Sequence, residues 1–167
     1  MKKTKITRYI FFTLMILTCI IIFIFSSQNG EESTEVSDGF ISRFIDIFPL
    51  TKNQTEEQKQ ETIENLQFIV RKTAHFSIYT ILGITSMGFI NTYNISYKKK
   101  IGISFLIGFL YAISDEFHQL FSSGRTAKVM DVGIDSAGVI FGIFIVYVII
   151  KLYKTLKTKT KNKKVNI

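Results

Sequence analysis

The sequence predicts an all-α polytopic membrane protein, a four-transmembrane-helix bundle with an amphipathic extracytoplasmic helix between spans 1 and 2. Three observations lead there. First, the apolar residues are clumped: 17 charge-free residues run from Tyr9 to Phe25, and 25 run from Thr73 to Tyr97 with only the ionisable His75 among them. Runs of this length read as bilayer spans. Second, 47% of the 167 residues are hydrophobic and only 20% are charged, which excludes an ordinary soluble enzyme. Third, the charges segregate. The N-terminal tail (Lys2, Lys3, Lys5, Arg8), the triplet Lys98 to Lys100 and the tail from Lys151 hold 14 basic residues and no acid, whereas the remaining segments hold 7 basic residues and all 13 acids. Four crossings with both termini and the Lys98 loop cytosolic give +14 inside and −6 outside, as the positive-inside rule requires. These lysines read as topology anchors that contact anionic membrane lipids, so the net charge of +8 does not point to nucleic acid.

The four spans are expected at residues 9–25, 67–90, 101–120 and 131–150 of one membrane domain. The first resembles a secretory signal peptide, but it is long for one, Ser26-Ser27-Gln28 lacks a small-residue exit, and Leu17-Thr18-Cys19 is a poor lipobox because apolar residues continue beyond it. It is read as an uncleaved anchor. Cys19 is the single cysteine, which excludes an intramolecular disulfide framework and a Cys-rich metal site. In the extracytoplasmic loop, 26–66, Val36, Phe40, Ile41, Phe44, Ile45 and Phe48 recur at helical spacing opposite Asp38, Ser42, Arg43 and Asp46, and Pro49 ends the run. Such a helix lies in the membrane interface or caps the bundle. Thr55-Glu56-Glu57-Gln58 is a capping-box pattern, opening a helix that runs unbroken into the second span. The basic cytosolic tail, 151–167, is expected to be partly disordered.

The third and fourth spans reach about 20 residues only by admitting Asp115 and Glu116 into one and Asp135 into the other, just as the second admits His75. His75 lies 16 residues from Asn91, Asp115 15 from Lys100 and Asp135 16 from Lys151. At 1.5 Å per residue all three sit about 24 Å above the cytosolic boundary, beneath the outer surface of a core about 30 Å thick. Each polar mark extends along a face: Lys72, His75, Tyr79 and Leu82 at spacings of 3, 4 and 3, then Asp115 with Gln119, and Asp131 with Asp135. Glu116 is rotated off the Asp115 direction, and Arg125 lies in a loop able to fold over the carboxylates. Ion pairs that only hold the bundle together would explain such groups, but their insertion cost makes an outer-leaflet site the default reading. His118 is expected to face the headgroups. Gly138 and Gly142 form a GxxxG pair, and Ser104, Gly108 and Ala112 are small residues every four, spacings that permit close helix packing.

The ordered set Arg71-Lys72-x-x-His75-Phe76-x-x-Tyr79-x-x-Leu82-Gly83, Asp115-Glu116-x-x-Gln119, Gly124-Arg125, Asp131, Asp135 and Gly138 is similar to the VanZ family. The resemblance spans about 67–142. It implies a small multi-pass protein of the bacterial cell envelope, in a family named for reduced susceptibility to the lipid-tailed glycopeptide teicoplanin in Gram-positive hosts. It also implies a site made of Lys72, His75, Tyr79, Asp115, Glu116, Gln119, Arg125 and Asp131. Asp135 joins that ligand-binding set by its depth, although relatives often carry Asn there.

Two functions are weighed. One is a binding or shielding protein whose outer-leaflet pocket contacts a lipid headgroup, a lipid-linked cell-wall precursor or a lipoglycopeptide, lowering antibiotic susceptibility. The other is a membrane enzyme modifying such a headgroup, with Asp115 or Glu116 as general base, His75 as acid or base, and Lys72 or Arg125 on a phosphate or oxyanion. A proton-coupled transporter ranks third, because the inner half of every span lacks a relay. Carboxylates beside a histidine can hold a divalent cation, but with no HExxH or CxxC spacing the expectation is no metal and no cofactor.

The charge split sets a topology test. In a Cys19→Ser background, Lys3→Cys, Lys99→Cys and Lys159→Cys are expected to resist an impermeant thiol reagent in intact cells, while Thr51→Cys and Ser123→Cys label. Labelling at Lys99→Cys in unbroken cells overturns the orientation.

Overall fold

The structure is a computed structural model and describes residues 2–27, 39, 41, 55–121 and 128–165. Four helices follow one another: α1 (Lys2–Ser27), α2 (Glu56–Asn91), α3 (Tyr97–Gln119) and α4 (Val129–Val165), with no strand among the described residues. All four are long and apolar enough to cross a membrane, in agreement with the four expected spans. The amphipathic helix expected over 36–48 lies outside the described residues, Gly39 and Ile41 apart, and Ile41 is buried.

Local chemistry explains the boundaries. At the start of α2 the expected capping box is formed: the Gln58 N–H donates to Thr55 Oγ1 at 3.3 Å and the Thr55 N–H donates to Gln58 Oε1 at 3.1 Å. Beyond this cap no proline, and no glycine before Gly83, interrupts the helix, so its polar first turns and the span form one 36-residue rod. α4 runs beyond Ile150 into the lysine tail, to Val165, which corrects the expectation of a partly disordered tail. The stretch after Gly142 contains neither glycine nor proline, and the Thr155 and Thr158 hydroxyls fold back onto the carbonyls of Lys151 and Lys154 at 3.0 Å.

Side chains tie the basic segments to one end of the bundle. Arg8 donates from Nε to Thr92 Oγ1 at 3.1 Å and stacks over the Tyr93 ring, 4.1 Å from its centroid. Lys100 Nζ closes the turn between α2 and α3 by donating to the carbonyl and the side-chain oxygen of Asn91, at 3.1 and 3.0 Å. The Tyr97 and Tyr147 rings lie 5.6 Å apart, bringing the middle of α4 to the same end.

The most extensive interface is α2 against α4, and it is built on glycine. A Cβ on Gly142 would fall 2.8 Å from the Ile84 backbone nitrogen, one on Gly138 2.5 Å from the Phe76 carbonyl oxygen, and one on Gly83 3.0 Å from the Val139 backbone. The neighbours are backbone atoms, which cannot swing aside. Here the GxxxG pair does what its spacing suggests and lets two helix axes approach closely. α3 packs on the same element by its small stripe: Ser104, Gly108 and Ala112 are all buried, with Gly108 against the Val139 side chain. Tyr79, Leu82, Met87, Ala112, Val139 and Ile143 fill the centre. The outward faces are apolar and exposed, for example Ile10, Leu17, Ile24, Leu106, Leu110, Ile140 and Phe144, as lipid-facing surfaces are. α1 joins through Tyr111, whose hydroxyl donates to the Cys19 carbonyl at 2.6 Å.

Glycine position decides the sign of an alanine substitution. Gly138→Ala and Gly142→Ala are expected to destabilise by about 1–3 kcal/mol through overpacking. Gly102→Ala and Gly133→Ala, which meet nothing within 4 Å, are expected to stabilise by up to about 1 kcal/mol through helix propensity. Thermal unfolding of the four purified variants in one detergent checks both signs.

Candidate functional site

α2 and α4 run in parallel register along their seam, because both end at the lysine-rich end of the bundle. Phe76 and Tyr79 meet Gly138, Thr80 and Ile84 meet Gly142, and Gly83 meets Val139. Continued toward the other end, the register brings Lys72 to Asp131 and His75 to Asp135. On α4, Asp131, Asp135, Gly138 and Gly142 therefore form one stripe at spacings of 4, 3 and 4, polar in its first half and small in its second. α3 adds its own face, with Asp115, Glu116 and Gln119 all buried.

Three ionisable groups converge. One ligand atom from each of His75, Asp115 and Asp135 lies within 4.8 Å of the others. His75 Nδ1 is 3.5 Å from Asp135 Oδ1, and the Asp135 side chain is 1% exposed against 30% for His75. Neither Asp135 oxygen accepts a hydrogen bond of normal geometry, although one pairs with His75, and the buried hydroxyl of Tyr79 faces the Asp115 carboxylate. The Gln119 amide donates to Asp115 Oδ2 at 3.1 Å, so the helical turn from 115 to 119 orients that carboxylate and leaves its second oxygen for another partner.

Lys72 and Asp131 form a second, shallower layer. They make an ion pair with side chains 23% and 18% exposed, and the ammonium also lies over the Phe68 ring, 5.3 Å from its centroid. Glu116 stands apart from the three convergent groups. Its Oε1 accepts the Lys128 N–H at 2.5 Å, immediately before α4 begins, so this carboxylate caps the helix that carries Asp131 and Asp135. The ring of His118, expected to face the headgroups, packs on Phe23 of α1, centroids 4.6 Å apart. Arg125 lies outside the described residues.

Sequence reasoning named the converging residues but not their division of labour. The depth count places His75, Asp115 and Asp135 level, and helical rotation about each axis then separates Glu116 from Asp115. The capping role of Glu116 had no signal in local spacing, since its partner is twelve residues away across a turn.

The model of the VanZ/LLP1 family matches residues 11–151. No curated protein and no solved structure matches the chain.

The half-buried Lys72–Asp131 pair is expected to be costly to break and cheap to replace. Lys72→Met alone leaves Asp131 without its cation and should destabilise by about 2–3 kcal/mol, whereas Lys72→Met with Asp131→Leu should recover most of that loss. A double-mutant cycle on thermal unfolding in detergent measures the coupling.

Proposed function

The chain belongs to the VanZ/LLP1 family of multi-pass membrane proteins, and on that footing we propose that it binds the polar headgroup of a lipid or lipid-linked molecule in the outer leaflet. The observation that carries this reading is the convergence of His75, Asp115 and Asp135, with the Lys72–Asp131 pair above them, at one end of helices whose outward faces are otherwise apolar. A bilayer penalises such groups unless they are matched. A molecule with an acyl or polyprenyl tail and a charged head supplies both halves of the match: the tail lies along the exposed apolar faces, and the head meets a mixed-charge cluster. Arg71, and Lys72 when it exchanges Asp131 for the ligand, offer cations to a phosphate, and the carboxylates accept hydrogen bonds from amines or hydroxyls.

In this reading the lysine-rich end is cytosolic, by the charge asymmetry along the chain, and the site lies in the outer leaflet of the cell envelope. Lys72, His75, Tyr79, Asp115, Gln119, Asp131 and Asp135 form it, and Glu116 positions α4, with Arg125 proposed as a further cation of the set. The ligands of matching chemistry are membrane lipids, a lipid-linked cell-wall precursor and a lipoglycopeptide. Binding either of the last two shields the growing wall and lowers susceptibility to teicoplanin in a Gram-positive host. The His75–Asp135 contact at 3.5 Å favours one alternative, acid–base chemistry on the same headgroup.

Expression in a susceptible Gram-positive host is expected to raise the inhibitory concentration of teicoplanin and leave that of vancomycin, which lacks the lipid tail, unchanged. Asp115→Asn should abolish the protection at unchanged membrane abundance. Equal sensitivity to teicoplanin with and without the inserted protein overturns the shielding role, and a headgroup species that appears or vanishes on expression converts binding into catalysis.

A further inference from the structure

The three convergent groups have the composition of a metal shell. From their geometry we propose that His75, Asp115 and Asp135 hold a divalent transition cation of the Mn2+ to Zn2+ series within the bundle, with one coordination position left for water or an anionic oxygen of a ligand. The inference stands apart from the headgroup reading, because a cation is measurable on the protein without any lipid substrate.

Charge is the first argument. Two carboxylates lie buried side by side, with the buried Glu116 within electrostatic reach, and the cation that meets them among the described residues is the imidazole of His75 when protonated. Lys72 is already committed to Asp131. A divalent ion neutralises both carboxylates at once and takes the histidine as a neutral ligand.

Under-satisfied atoms are the second. Asp135 is 1% exposed, both its oxygens are without hydrogen bonds of normal geometry, and one of its oxygens is among the ligand atoms within 4.8 Å of one another. A carboxylate this deeply buried, with the His75 imidazole as its polar neighbour and no hydrogen bond of normal geometry, is a position where native proteins place a proton, a water or an ion. Zinc bonds of about 2.0–2.2 Å in a tetrahedron put neighbouring ligand atoms roughly 3.3–3.6 Å apart, and His75 Nδ1 lies 3.5 Å from Asp135 Oδ1.

The surroundings are the third. Metal-ligating carboxylates are held by outer hydrogen bonds, and the Gln119 amide does this to Asp115 Oδ2, with the Tyr79 hydroxyl facing the same carboxylate. An imidazole beside carboxylates selects against Mg2+ and Ca2+, which prefer all-oxygen shells. Each ligand comes from a different helix, so no compact motif announces the set. Binding would also lock α2, α3 and α4 together at the end away from the glycine seam.

The test uses untagged, full-length protein in detergent, stripped with a chelator, reloaded with Zn2+ and passed through gel filtration in metal-free buffer. Wild type should retain about one Zn2+ per chain, resist displacement by a tenfold excess of Mg2+, and melt higher loaded than stripped. Asp135→Asn and His75→Gln should lose retention and the melting shift, while His118→Ala, which removes the only other histidine, should keep both. Should the site variants fail to fold, Co2+ added to stripped wild type decides: visible d–d absorption saturating at one equivalent, without the near-ultraviolet band of a thiolate ligand, supports the site. Folded wild type that retains no Zn2+ and shows no such bands, or Asp135→Asn retaining as much as wild type, overturns it and leaves the carboxylates sharing a proton.

Discussion

Direct contact between the backbones of α2 and α4 is the constraint on which the rest of this bundle depends. Gly83, Gly138 and Gly142 leave no room for a side chain between the two helices, so their separation and register are set by backbone atoms that cannot repack. In a bilayer, where lipid tails are as apolar as leucine, this close dispersion contact replaces the hydrophobic effect as the force holding helices together. The seam also fixes the direction in which the polar residues point. Continuing the stripe of Gly142 and Gly138 along α4 leads to Asp135 and then Asp131, and the matching stripe on α2 leads to His75 and Lys72.

Polar groups follow from that geometry in two layers. The shallower Lys72–Asp131 pair is partly exposed and compensated within itself, whereas the deeper cluster sets two carboxylates against one imidazole. Glu116 belongs to neither layer: by accepting the Lys128 N–H it anchors the start of α4, and with it the placement of two of the aspartates. A carboxylate that the sequence offers as a catalytic candidate thereby also positions a helix in the structure. The same economy applies to small residues, since Gly108 serves the packing of α3 on Val139 and brings Asp115, seven residues and about two turns further along, onto the same face.

Membership of the VanZ/LLP1 family and four helices long and apolar enough to cross a bilayer agree on a multi-pass membrane protein. The exposed faces of α1, α3 and α4 are apolar through their spanning parts, for example at Leu17, Leu106 and Phe144. A bound cation would sharpen the selectivity of such a site toward phosphate or carboxylate oxygens, because an open coordination position binds anions by charge and geometry together.

Span number, helix type and the shared end of the basic segments were legible in the sequence, because they depend on local quantities. Apolar length decides whether a helix can cross a bilayer, the Thr55 capping box decides where α2 begins, and residue counts along helices of constant rise place His75, Asp115 and Asp135 at one depth. What the sequence left open was rotation and occupancy of space. Whether Glu116 or Asp115 faces α4, whether His118 meets headgroups or Phe23, and whether the lysine tail continues as helix depend on neighbours that are distant in the chain or on the summed propensities of a long segment. Only the tertiary structure decided these, and the reason is steric: once Gly83, Gly138 and Gly142 bring two backbones into contact, each of those helices has one rotation left, which turns His75 to Asp135, and the packing of Gly108 on Val139 brings Asp115 to the pair.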